Sequence, residues 1–116
     1  MDESILTSIK KLIGITEDNT DFDMDIIIHI NSVFVILHQL GVGPDDGFSI
    51  SDSSKVWSDY LDNNKLFNTV KSYMYLKVKL LFDPPTNSSV REANNNMLDE
   101  LEWRINLQHE SSESEG

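Results

Sequence analysis

A chain of 116 residues is the size at which one hydrophobic core forms and buries roughly two-thirds of the unfolded surface, so a single domain is expected. Twenty acidic against 9 basic residues give a formal net charge of −11 at pH 7, which repels DNA phosphates and argues against sequence-reading DNA binding. The absence of cysteine excludes disulfides and thiolate metal sites. No run reaches the roughly 20 apolar residues of a membrane span, and the opening MDESILTSIKK lacks the layout of a signal peptide, so a soluble protein that is not exported is expected.

The first helix is expected from Asp2 or Ser4 to Ile13. Ile5, Leu6, Ile9, Leu12 and Ile13 share one side, Ser8 and Lys11 lie on the polar side, and Gly14 stands at the C′ stop. Ile15 to Asn19 connects it to Thr20–Leu40, the longest apolar-patterned run and the expected central helix. Thr20 and Asp23 have the spacing of a capping pair, and Asp21, Asp23 and Asp25 fall in or near a first turn that favours negative charge. At 100° per residue, Ile26, Ile30, Val33, Phe34, Leu37 and Leu40 form one broad face. Ile28 and Val35 lie nearly opposite, among Asn31, Ser32 and Gln39, and a helix apolar on several sides needs more cover than one neighbour gives.

Gly41 ends that helix, and GVGPDDGFSISDSS is a long irregular loop with Phe48 to Ile50 extended. Loops of this length inside a compact domain are uncommon unless functional. SKVWSDYL then predicts a short helix anchoring the loop through Val56, Trp57, Tyr60 and Leu61. Asn63 or Asn64 caps a third long helix that runs to Phe82 with Leu66, Phe67, Val70, Tyr73, Met74 and Leu81 on its core face. Asp83, Pro84 and Pro85 stop it. Ser88 or Ser89 starts the fourth long helix, Ser89 with Glu92 forming a capping box. Val90, Ala93, Met97, Leu98, Leu101 and Ile105 fall within an arc of about 140°, a core stripe, while Trp103 projects about 150° from its centre with Leu107 near it. The fold class predicted is all-α: a small bundle of about four main helices with a long irregular loop between the second and third. Residues 1–109 form this domain, and the acidic stretch 110–116, ESSESEG, is expected to be disordered in the isolated protomer.

Tests for chemistry return no site. Asp21, Asp23 and Asp25 have the one-three-five spacing of a calcium loop, but Ile26 replaces the turn glycine and Ser32 the bidentate glutamate. Gly41, Gly43 and Gly47 follow a helix instead of a strand and bracket Asp45 and Asp46, which would repel a pyrophosphate. His29 and His38 point about 180° apart on the central helix, and Asp25 with His29 supplies only two ligands. No enzymatic activity, metal or cofactor is expected. What remains are contact surfaces: the back of the central helix, Trp103 with Leu107, the long loop and the acidic end. Trp103 reads either as an interface anchor or as a residue packed under the loop of Gly43 to Ser54, and the acidic end either as a binding element or as a passive solubilising one. The net charge, taken alone, points first to solubility and second to a surface past which DNA slides without sticking.

FDMDIIIHINSVFVILHQLGVGP (Phe22 to Pro44), VKSYMYLKVKLLFDPP (Val70 to Pro85) and LDELEWRIN (Leu98 to Asn106) together resemble the head-tail connector proteins of tailed bacteriophages and prophages. The resemblance runs from Ile5 to about Gln108; ESSESEG lies outside it. It implies a non-enzymatic helical adaptor assembled in the bacterial host cytoplasm into a homo-oligomeric ring, usually twelve-membered, in the virion neck beneath the portal protein. Such a ring lengthens the channel through which DNA passes without sequence-specific binding and presents a docking surface for the downstream neck or tail protein; no membrane is involved. On this reading the candidate subunit or portal contacts are Trp103, Leu107, Ile28, Val35, Phe48 and Ile50, and the candidate channel-lining acids are Asp45, Asp46 and Asp52. The competing class is a small acidic regulatory protein that occupies a host factor, acting as a DNA mimic. Capture of a nucleic-acid-binding host protein instead of virion proteins discriminates the two.

Overall fold

The structure, a computed structural model, describes the backbone of residues 3–61 and 64–115 and the side chains of 3–61 and 65–107. Among the described residues five helices and no strand are formed: α1 (Ile5–Leu12), α2 (Asp23–Gln39), α3 (Trp57–Tyr60), α4 (Asn64–Phe82) and α5 (Ser88–Glu115). The all-α class, the four main helices and the long loop between α2 and α4 are as predicted.

Ser4 caps α1, its side chain accepting from the Thr7 N–H at 3.2 Å. Gly14, at φ +90°, closes it in a Schellman arrangement: Ile15 N donates to Lys10 O and Gly14 N to Lys11 O, satisfying carbonyls that the helix end would leave orphaned. Ile5, Leu6 and Ile9 are buried as the pattern requires. Ser8, expected on the polar side, is also buried. It accepts the Trp57 indole N–H at 2.8 Å and donates to Ile5 O at 3.0 Å. Lys10 is buried too, its ammonium 2.8 Å from Asp23 and 3.1 Å from Glu17 O, which pins the end of α1 to the first turn of α2.

α2 starts at Asp23, later than expected. Thr20 is not its cap: Phe22 holds that position without a side-chain hydrogen bond, and Phe22 instead sets its ring edge-on to Phe82 at 5.5 Å. Ile26, Ile30, Val33, Phe34 and Leu37 are buried, with Ile27 beside them. A second Schellman closure at Gly41 uses Val42 N to Leu37 O and Gly41 N to His38 O. The loop that follows is tied back to α1 by Ile5 N to Lys55 O and Trp57 N to Glu3 O, and α3 plugs Trp57 and Tyr60 into the core.

α4 lies at the centre of the packing, in contact with α1, α2 and α5. It buries Leu66, Val70, Tyr73, Met74 and Val78. Leu81, expected on the core face, is exposed. The cap expected at Asn63 or Asn64 lies outside the described residues. The actual cap of α5 is Asn87, whose Oδ1 accepts from the N–H groups of Ser89 and Val90; Asn leads the N-cap ranking alongside Ser and Asp. Of the stripe expected to be buried on α5, Leu98 and Ile105 are buried and Leu101 is half-buried, while Val90, Ala93 and Met97 are exposed. α5 packs closely on one neighbour, α4, and one neighbour covers only a narrow seam. The backbone of α5 stays helical to Glu115, into the stretch expected to be a disordered tail: no Gly or Pro interrupts residues 88–115, and propagating a nucleated helix adds one hydrogen bond per residue fixed.

Candidate functional site

The outer face of α2 is bare. Ile28 and Val35 are 58% and 59% exposed, and Met24, one turn before Ile28, is 71% exposed. The three fall within about 40° of one another on the helix, opposite the face that α1 and α4 cover. The loop climbs onto α2 only as far as Asn31, whose amide exchanges two hydrogen bonds with the backbone of Ile50, at 2.8 and 2.9 Å. Met24 was missed by sequence reading although the same 100° count that isolates Ile28 and Val35 places it beside them.

Phe48 and Ile50 do not join this face. Ile50 is 4% exposed, and Phe48 packs its ring 5.1 Å from those of both Phe34 and Tyr60. Ile50 belongs to the core and Phe48, half-buried, packs against it, and together they fix the path of the loop. Trp103 is 63% exposed and Leu107 45%, so Trp103 is not packed under the Gly43–Ser54 loop. That loop lies over α2 and α3, whereas α5 adjoins α4.

Asp45, Asp46 and Asp52 all lie exposed on the long loop. The Asp52 carboxylate accepts from the Ser54 hydroxyl and N–H, and these two hydrogen bonds, the hydroxyl's first, hold its pKa below the ordinary value. The Asp45 carbonyl sits 3.0 Å from His38 Nε2, fastening the loop to the end of α2. At the opposite corner Lys71 bonds Glu3 at 2.6 Å and draws its carboxyl pKa down. Burial raises the Tyr60 phenol well above its usual value; it is a packing residue, its ring so close under Gly43 that a Cβ there would meet it at 2.5 Å. Among the described residues no three His, Asp or Glu side chains gather to hold a metal ion, and no helix is long and apolar enough to cross a membrane.

The site is thus a set of exposed surfaces: apolar side chains on the outer faces of α2 and α5 and carboxylates on the long loop. The chain belongs to the phage connector protein family: the family model described as "Phage connector protein" matches residues 5–112. No curated protein and no solved structure matches it. Membership carries a structural role, that of a head-tail connector, and agrees with the resemblance borne by the three sequence blocks.

Proposed function

We propose that the protein assembles as a ring, twelve-membered by the family pattern, in the virion neck. There it binds the portal protein on one side and the next neck or tail protein on the other, and it lengthens the channel for DNA. The observation that carries this reading is the pair of uncovered apolar faces, Met24–Ile28–Val35 on α2 and Trp103–Leu107 on α5. A monomeric bundle gains nothing from leaving side chains of this size in water, whereas a subunit completes their burial against its neighbours. The net charge of −11 and the exposed Asp45, Asp46 and Asp52 suit the wall of a conduit, since phosphates repelled from the wall slide instead of binding. Assembly takes place in the cytoplasm of the bacterial host, before tail attachment.

Native mass spectrometry of the purified chain with and without its cognate portal tests this. Complexes containing many copies on one portal ring are expected; a chain that stays monomeric and leaves the portal bare refutes the proposal.

A further inference from the structure

The two bare faces lie on helices that each pack on α4. The chain measures 44 × 36 × 20 Å, a slab about two helix layers thick at 8–10 Å between axes. On α5, Trp103 and Leu107 project about 150° and 170° from the Leu98–Ile105 seam that meets α4. On α2, Met24, Ile28 and Val35 point away from the core that α4 helps to close.

Two unlike faces, each turned away from the seams of its own protomer, favour a head-to-tail contact over a two-fold one, and head-to-tail contacts close into rings when the rotation permits. Resting on the ring reading above, we propose that the outer face of α2 in one copy packs against the outer face of α5 in the next, with Trp103 set between Ile28 and Val35.

The chemistry of the α2 face suits that occupant. Ile28 and Val35 are two turns apart, about 10 Å along the axis, and between them stand only Asn31 and Ser32 on that side. Both are internally bonded: Asn31 to Ile50, and the Ser32 hydroxyl to Ile28 O at 3.0 Å. A notch whose polar atoms already have partners can be dried by an indole without orphaning them. At roughly 200 Å² per large side chain, the five residues, 45% to 71% exposed, offer on the order of 600 Å² between the two faces. A standard interface of about 1,600 Å² is a little over half apolar, so these residues supply about two-thirds of the apolar area it requires. A second copy therefore supplies most, though not all, of the apolar area of such a contact.

The chain has no cysteine, which makes crosslinking decisive. Ser32→Cys and Leu107→Cys, singly and together, are assembled with the portal, treated with a short bismaleimide and run on denaturing gels, with native mass spectrometry of the same samples. The double variant is expected to give a ladder from dimer upward while each single variant stays monomeric on the gel. Dimers from a single variant would mean a face paired with itself and overturn the inference. So would a double variant that stays monomeric on the gel although mass spectrometry finds the ring, leaving the proposed function intact. Absence of any oligomer on the portal removes both.

Discussion

Ser8→Ala is a small change at a surface-patterned position, and the structure gives it a large expected effect. Trp57 is fully buried, and the Ser8 hydroxyl, itself 3% exposed, accepts its indole N–H at 2.8 Å. Removing the hydroxyl leaves a buried donor without an acceptor, which costs about 1–3 kcal/mol, offset by a few tenths because Ala is the better helix former. A net loss of about 1–2.5 kcal/mol is expected, and at this chain length each kcal/mol lowers Tm by about 3–6 °C. Trp57→Phe removes the donor and leaves a cavity. In the double variant neither group is orphaned, so its loss should be smaller than the sum of the single losses by about 1 kcal/mol. Urea unfolding followed by circular dichroism measures all three. A Ser8→Ala variant within about 0.5 kcal/mol of the parent, the usual range for surface changes, together with strict additivity, would refute the claim that this bond seals α1 to α3.

Phe34→Ala, which empties the space against Phe48 and Tyr60, should cost about 3–5 kcal/mol in the same assay. Trp103→Ala should leave protomer melting unchanged yet weaken assembly by about 2 kcal/mol, read by sedimentation; a large drop in Tm would return Trp103 to the core. Gly47→Ala places a side chain at φ +87° in open space and should cost about 1 kcal/mol, whereas Gly43→Ala adds a collision with the Tyr60 ring and should cost clearly more on thermal unfolding. The Asp52 carboxyl should titrate below the ordinary aspartate range by NMR: its pKa is depressed in the fold, so its bonds to Ser54 hold above the unfolded value and are lost as pH falls through the folded one. Association between copies of net charge −11 should tighten as salt screens their repulsion, the opposite of a phosphate-binding protein, and light scattering across a salt series reads the sign.

The fold was legible where helix period and stop signals agreed. Gly14 and Gly41 both take the positive φ expected of C′ glycines, and Pro84 with Pro85 ends α4 on schedule. Polar partners chosen by tertiary contact were not legible. Ser8 patterns as solvent-facing surface, yet it meets Trp57, 49 residues away in sequence, and Lys10, which no apolar period marks, is buried 2.8 Å from Asp23. Caps failed for a related reason. Ser88 or Ser89 is the expected start of the last helix, yet Asn87, one residue earlier, caps it, in a turn that the Arg91 guanidinium also ties to the Pro85 carbonyl.

The contact surfaces divide along the same line. Periodicity says which residues share a face, and on α2 that sufficed to single out Ile28 and Val35, since an over-apolar helix exposes whatever its neighbours cannot reach. It does not say how many neighbours the fold supplies, and on α5 that number decides the outcome. Leu98 and Ile105 are one heptad apart with Leu101 between them, the spacing of a seam against a single partner; α4 covers that seam and little more. Val90 and Met97 on one flank and Trp103 and Leu107 on the far side are left over. A domain that closed on itself would need another helix across α5. Among the described helices none lies across that surface of α5, and a neighbouring copy in the proposed ring is the partner that would cover it.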